Sequence, residues 1–217
     1  VPMTSNTPDA TSEGIVLVVE DDPSLRAALS AALSVRNIDH LEFQSVDEIG
    51  AMLSRGTITK PTCMLLDIRL GSGPTGLTVF QRIKDLGLGN RIPVIFMTGH
   101  GELDTAVEVM REGAFDFVTK PFSTPELMTK VEAALSASGV ANQSELDQKK
   151  MLDLLKQLTE KEREVMNLMV EGKINREIAE ICGNSTRTVE LHRARVFDKL
   201  KVSNAVELVR VIGVLDK

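Results

Sequence analysis

Carboxylates, a hydroxyl and an ammonium recur along the first half of this chain at positions where they can meet around a phosphoryl group. An apolar run over 15–19 ends in Glu20-Asp21-Asp22, and another over 63–66 ends in Asp67. A third run, 94–97, is followed by Thr98, and a fourth, ending at Val118, by Lys120-Pro121. Adjacent carboxylates at the end of an apolar strand repel one another and lose hydration. A divalent cation offsets both costs, and oxygen-only ligands favour Mg2+. A lysine can neutralise an oxyanion, and a threonine hydroxyl can donate to one. Together the set suits a phosphoryl group bound with Mg2+, the metal bridging Asp67 and the phosphoryl oxygens. Singly, the acidic run and Thr98 also read as helix caps and Lys120 as a surface charge. Asp67 ends an apolar strand with no capping box behind it, so capping does not explain it.

These groups meet only if the runs are neighbouring strands. Strands are expected at 15–19, 40–43, 63–66, 94–97 and 115–118, with helices between and after them at 23–35, 46–54, 77–86, 102–112 and 124–137. Continuous apolar runs fit strands buried on both faces. Asp22-Pro23 offers an N-cap with proline in the first turn, and Ser45…Glu48 and Ser123…Glu126 have capping-box spacing. The expected fold is α/β: a doubly wound five-stranded parallel sheet, which binds ligands at its carboxyl edge.

The second half carries no strand signal. Ser136 to Ser144 is small and polar and reads as a linker. Leu146, Met151, Leu154, Leu155 and Leu158 have some helical spacing, which fits either a continuation of the fifth helix or a loose solvated helix. Thr159…Glu162 is a capping box opening a helix to about Val170. A short helix at 175–181, a turn at Cys182-Gly183-Asn184, a Ser185-capped helix at 186–200 and a last helix at 204–214 follow. Short helix, tight turn and long helix form a helix-turn-helix. In the long helix Val189, Val196 and Leu200 face a core. Arg187, Glu190, Leu191, Ala194, Arg195 and Lys199 lie on or near the other side, where cations can reach phosphates and polar groups can reach base edges. Glu190 can accept from cytosine, which favours sequence readout over non-specific binding. A generic amphipathic helix has the same charges but not the turn before it. His192 reads as a hydrogen-bonded structural histidine, with a phosphate contact as the alternative.

Charge divides the same way. The net −6 of the 217 residues separates into −7 over 1–137 and +1 over 138–217, so the second half is the one suited to nucleic acid. No apolar run is long enough to cross a bilayer and no secretory signal is expected, which points to a cytoplasmic protein without membrane contact. Cys63 and Cys182 have no partners at metal-ligand spacing and read as small buried residues.

LVVEDD, LLDIRL, FMTGH and FVTKPF, in this order, resemble the receiver domain of two-component response regulators over about 14–137. The resemblance implies that Asp67 is the phosphoacceptor and that a sensor histidine kinase is the donor. It implies that Glu20, Asp21, Asp67 and the backbone carbonyl of Arg69 hold Mg2+, that Lys120 contacts the phosphoryl group, and that Thr98 and Phe117 are the switch pair. Receivers usually place a glycine eight positions after the phosphoacceptor; here Gly76 lies nine beyond Asp67, after Leu70-Gly-Ser-Gly-Pro-Thr75.

The stretch LTEKEREVMNLMVEG…NREIAEICGNSTRTVELHRARVFDKLKV resembles the LuxR-type helix-turn-helix, close to the FixJ–NarL regulators, over about 155–215. It implies double-stranded promoter DNA as partner, with Asn175, Ser185, Thr186, Arg187, Thr188, Glu190, Leu191 and Ala194 on the DNA side and Lys173, Arg195 and Lys199 near the backbone. The expected organisation is a disordered segment 1–13, a receiver 14–137, a linker 138–154 and a DNA-binding domain 155–217. The expected function is a transcription factor whose phosphorylation controls promoter binding through a homodimer. It is not expected to be an enzyme beyond dephosphorylating itself. A phosphorylation-independent DNA-binding protein is the first rival. A phosphatase of the haloacid-dehalogenase type is the second, and it would want an acid where Arg69 stands.

Overall fold

The computed structural model describes residues 14–55, 59–71, 75–99 and 103–215. The segment 1–13, Glu102 at the start of the fourth expected helix, and positions 72–74 of the loop after Asp67 lie outside the described residues. Backbone contacts divide the chain into two compact units, meeting at Gln143/Ser144.

The first unit is an α/β sandwich. Strands β1 (Ile15–Val19), β2 (Asp39–Phe43), β3 (Thr62–Asp67), β4 (Val94–Thr98) and β5 (Asp116–Thr119) form one parallel sheet in the order β2-β1-β3-β4-β5. Strand residues alternate between two cores. Leu17, Val19, Met64, Leu66 and Phe96 pack under α2 (Val46–Arg55), α3 (Gly76–Asp85) and α4 (Leu103–Arg111). Val16, Val18, Leu65, Ile95 and Met97 pack under α1 (Pro23–Val35) and α5 (Thr124–Leu155). Burial on both faces is why these strands read as unbroken apolar runs. Asp22 caps α1, accepting from the amides of Ser24 and Leu25 at 2.8 and 3.4 Å.

Helix α5 does not stop at Ala137; it is continuous to Leu155, so the stretch read as a linker is helical. The small residues have a packing reason. Ser138 is fully buried; its hydroxyl accepts the Thr62 amide at 2.8 Å and donates to the Arg91 carbonyl. Asn142 accepts from Arg91 Nε at 3.1 Å and donates to the Lys60 carbonyl at 3.3 Å. A Cβ on Gly139 would sit 3.5 Å from the Pro61 ring. Small side chains here let the helix approach the loops leading into β3 and β4.

The second unit is all-α: α6 (Glu160–Val170), α7 (Asn175–Cys182), α8 (Thr186–Leu200) and α9 (Ala205–Leu215). Val165, Met166, Ile178, Val189, Val196, Leu200 and Leu208 form its core, with Met151, Leu154 and Leu155 against it. Thr159 and Glu162 make the full reciprocal box that opens α6. Gly183, at φ +64°, ends α7 in the left-handed conformation that glycine adopts freely. Both cysteines are free thiols. Cys63 is buried in the sheet, whereas Cys182, at the turn after α7, is only half-buried. None of the described helices is long and apolar enough to cross a membrane.

Candidate functional site

Parallel strands bring their carboxyl ends to one edge, and the reactive groups follow the strands. β1 runs directly into Glu20 and Asp21, β3 ends on Asp67, β4 ends on Thr98, and β5 is followed by Lys120. Glu20, Asp21 and Asp67 each offer a carboxylate oxygen within 4.8 Å of the others. Glu20 is 1% and Asp67 6% exposed, while Asp21 lies at the surface. Lys120 Nζ stands between the two buried acids, 2.8 Å from Glu20 Oε2 and 2.8 Å from Asp67 Oδ2.

One ammonium thus serves two buried carboxylates. Burial pushes the Glu20 carboxyl up to about 7; the Lys120 hydrogen bond opposes this and the charge of Asp67 adds to it. Burial alone would lower the Lys120 ammonium, but its bonds to Asp67 and Glu20 outweigh that and raise it. Three carboxylates against one ammonium leave uncompensated negative charge, which an oxygen-coordinated divalent cation would balance.

Backbone groups hold the acids in position. Arg69 N–H donates to Asp67 Oδ1 at 3.3 Å, and Gly71 N–H donates to Asp21 Oδ2 at 2.9 Å. Gly76 lies against β3: a Cβ there would be 2.1 Å from the Asp67 carbonyl oxygen, while its amide donates to the Ile68 carbonyl at 2.9 Å. Only glycine fits that approach. Thr98 is fully buried, its hydroxyl 3.5 Å from the Val118 carbonyl, and Phe117 is half-buried opposite Phe96 in the sheet.

Arg26 was missed in the sequence. Its Nη1 donates to the carbonyls of Glu20 at 2.7 Å and Asp21 at 3.3 Å. A signal existed. A cation in the first turn of a helix opposes the helix dipole and calls for a local partner.

In the helical unit, Arg187, Glu190, Leu191 and Ala194 are all exposed on α8, at spacings of one turn. Among the described residues neither Arg187, Glu190 nor Arg195 has an ion-pair partner. Leu191, 52% exposed, is an apolar side chain on this polar face. Ser185 caps α8, accepting from the Thr188 amide at 3.1 Å and sharing a 2.8 Å contact with the Thr188 hydroxyl. Thr186 is exposed; Lys173 and Asn175, at the start of α7, are half-buried. Lys199 differs from the other cations. Its ammonium is 2.6 Å from Glu162 Oε2 and 3.1 Å from the Gln157 carbonyl. Glu162 is 3% exposed, and the Lys199 hydrogen bond draws its carboxyl down to about 2. The hydrogen-bonded role expected of His192 is not found at Nδ1, which is shielded from solvent and has no hydrogen-bond partner among the described residues.

A doubly wound domain with its charges gathered at one edge, in one chain with a helix-turn-helix, defines a class: regulators that couple a chemical signal to DNA. Residues 16–132 match the family model described as the response regulator receiver domain, and 156–212 match that of bacterial regulatory proteins, luxR family. The chain is 33% identical over 200 residues to the transcriptional regulatory protein FixJ of Azorhizobium caulinodans, covering 90% of each. It is 30% identical over 197 residues to the transcriptional regulatory protein TdiR of Thauera aromatica, covering 91% of this chain and 84% of that one. Among solved structures it resembles the response regulator StyR, with a TM-score of 0.78 and 28% identity over 93% of this chain and 99% of that one. This chain belongs to the response regulator family, as a transcription factor with a receiver and a LuxR-type DNA-binding domain.

Proposed function

We propose that Asp67 accepts a phosphoryl group from a sensor histidine kinase and that this modification controls binding to promoter DNA in the cytoplasm. The observation that carries the reading is the Lys120 ammonium held 2.8 Å from a buried Asp67 carboxylate at the sheet's ligand-binding edge. Asp67 attacks phosphorus as the bond to the kinase's histidine breaks. Lys120 is within reach of the oxygens that gain charge, and it is already held by Glu20. Glu20, Asp21, Asp67 and the carbonyl of Arg69 would hold Mg2+, which when bound supplies neutralising charge to the phosphoryl oxygens. Hydrolysis of the phosphoaspartate resets Asp67.

Phosphorylation adds negative charge beside Thr98, whose buried hydroxyl can turn to donate to it. Phe117 then repacks. Phenylalanine carries no hydroxyl, so its part is steric. The surface of α4 and β5 changes with it, and two receivers associate as a homodimer whose DNA-binding units read paired half-sites. On α8 the readout falls to Arg187, Glu190, Leu191 and Ala194, with Asn175, Ser185, Thr186 and Thr188 around them. Lys173 and Arg195 meet phosphates. Lys199 would join them only by leaving Glu162.

Intact-protein mass after acetyl phosphate and Mg2+ tests the reading. The wild type should gain one phosphoryl group and Asp67→Ala none. A gain in both would assign the chemistry to another residue. Tighter promoter binding and a doubled solution mass after phosphorylation, both absent from Asp67→Ala, test the coupling.

A further inference from the structure

The acids of the pocket have a brace that none of the chemistry above uses. Arg26 is the fourth residue of α1, and its side chain is 16% exposed. Its Nη1 spans the carbonyls of Glu20 and Asp21, the two consecutive residues whose side chains line the pocket. Its Nε lies 3.5 Å from Glu42 Oε2 on β2, and the other oxygen of Glu42 accepts from Ser30 on α1 at 2.6 Å. The Glu20 amide donates to the Phe43 carbonyl at the end of β2. The turn from β1 into α1 is thus fastened on one side by β2 and on the other by a guanidinium whose own direction Glu42 and α1 fix.

The helix dipole, and a divalent cation bound in the pocket, both disfavour a cation here. It stands in the first turn of a helix, against the dipole, and beside a cluster suited to a divalent cation. Its hydrogen bonds give the compensating reason. Two carbonyls joined by one planar donor fix the peptide planes of Glu20 and Asp21, and with them the directions of both carboxylates. We infer that Arg26 is a positioning residue for the metal-binding carboxylates, and that Glu42 orients it. The inference rests on the reading of the pocket as a Mg2+ site.

The two roles open to Arg26 give opposite signs. If it contributes only charge, its removal relieves repulsion and tightens Mg2+ binding. If it positions the acids, its removal weakens binding. Isothermal titration of the full chain with MgCl2, with melting of the metal-free protein as a folding control, measures this. Arg26→Ala should weaken Mg2+ by about tenfold, the usual range for groups that orient metal ligands. Arg26→Lys, which keeps the charge and one donor, should recover part of the loss, and Glu42→Gln should shift affinity in the same direction by less. In acetyl phosphate reactions the Mg2+ concentration for half-maximal rate should rise while the rate at saturating Mg2+ holds. Affinity equal to or tighter than wild type in folded Arg26→Ala overturns the inference. So does unchanged affinity in Glu42→Gln, should Arg26→Ala fail to fold. Asp21→Asn separates the two levels. If the wild type binds no Mg2+, or Asp21→Asn binds it as tightly, the reading of the pocket falls and the inference with it. If Asp21→Asn loses Mg2+ while Arg26→Ala does not, only the inference falls.

Discussion

Each unit of this protein buries a glutamate against a lysine, and the two contacts behave in opposite ways. In the receiver, Glu20 meets Lys120 at 2.8 Å and its carboxyl is pushed up to about 7. In the helical unit, Glu162 meets Lys199 at 2.6 Å and its carboxyl falls to about 2. Distance and solvent exposure barely differ, but burial weighs most on Glu20, whereas the hydrogen bonds of Glu162 outweigh it. Lys120 is shared with Asp67, so desolvation of Glu20 is only partly offset. Glu162 has Lys199 largely to itself and also accepts the Thr159 amide at 2.9 Å. A buried ion pair is therefore no sign of function by itself. The sign is a second carboxylate that the same cation cannot satisfy.

The receiver pocket depends on backbone placement, and Gly76→Ala tests that most severely. Its Cβ would fall 2.1 Å from the Asp67 carbonyl oxygen, against backbone that cannot turn aside. Loss of about 3 kcal/mol of receiver stability is expected, at the upper end for overpacking. Phosphoryl uptake at Asp67 should fall with it. Denaturant melts with intact mass measure both. An unaffected variant would mean that the loop after Asp67 yields easily and that the acids do not depend on it.

The helical pair should answer to side-chain changes instead. Glu162→Gln loses the charge-assisted bonds to Lys199 and weakens the box that opens α6. About 2 kcal/mol, or roughly 10 °C in Tm for a unit this small, is expected. The pH dependence follows from the depressed carboxyl. A folded value near 2 against an ordinary 4.5 means that the unfolded chain binds the proton more readily. The pair's contribution is complete above about 4.5 and is lost as pH falls toward 2. Acid melts of the wild type should drop across that window, and those of Glu162→Gln should be flatter there.

A smaller effect separates Lys199 from its neighbours. Arg195→Ala should reduce the slope of log DNA affinity against log salt by about 1, as the loss of one phosphate contact does. Lys199→Ala should lower Tm and leave the salt slope near that of wild type. A reduced slope for Lys199→Ala would mean that the ammonium leaves Glu162 for phosphate on binding.

Much of this was legible before any coordinates. Unbroken apolar runs located β1, β3 and β4, and the acids, Thr98 and Lys120 could be placed at one edge because each ends or follows a strand. Two things escaped. Ser138, Gly139 and Asn142 looked like linker because small polar residues favour loops. Here the same smallness lets α5 close on Pro61 and Arg91, which only tertiary contact reveals. Lys199 looked like one more cation on an outward face, since helical spacing cannot show that Glu162 of another helix lies beside it.

The finest test of the comparison is a substitution expected to cost the fold nothing. Glu20→Gln leaves Lys120 to Asp67 alone and removes the carboxylate that burial disfavours. With its folded carboxyl raised to about 7 from 4.5, Glu20 binds its proton more readily in the native state. The wild type should therefore lose stability as pH rises through that window, the reverse of Glu162. In metal-free buffer above pH 7, Glu20→Gln should melt at the wild-type temperature or higher, and its Tm should vary less with pH. Its Mg2+ affinity should fall at the same time. A clear drop in the metal-free Tm would place Glu20 beside Glu162 as a structural residue, and the contrast between the two units would be lost. A held or raised Tm with weakened Mg2+ binding would mean that this pocket trades stability for a charge it keeps ready for its ligand.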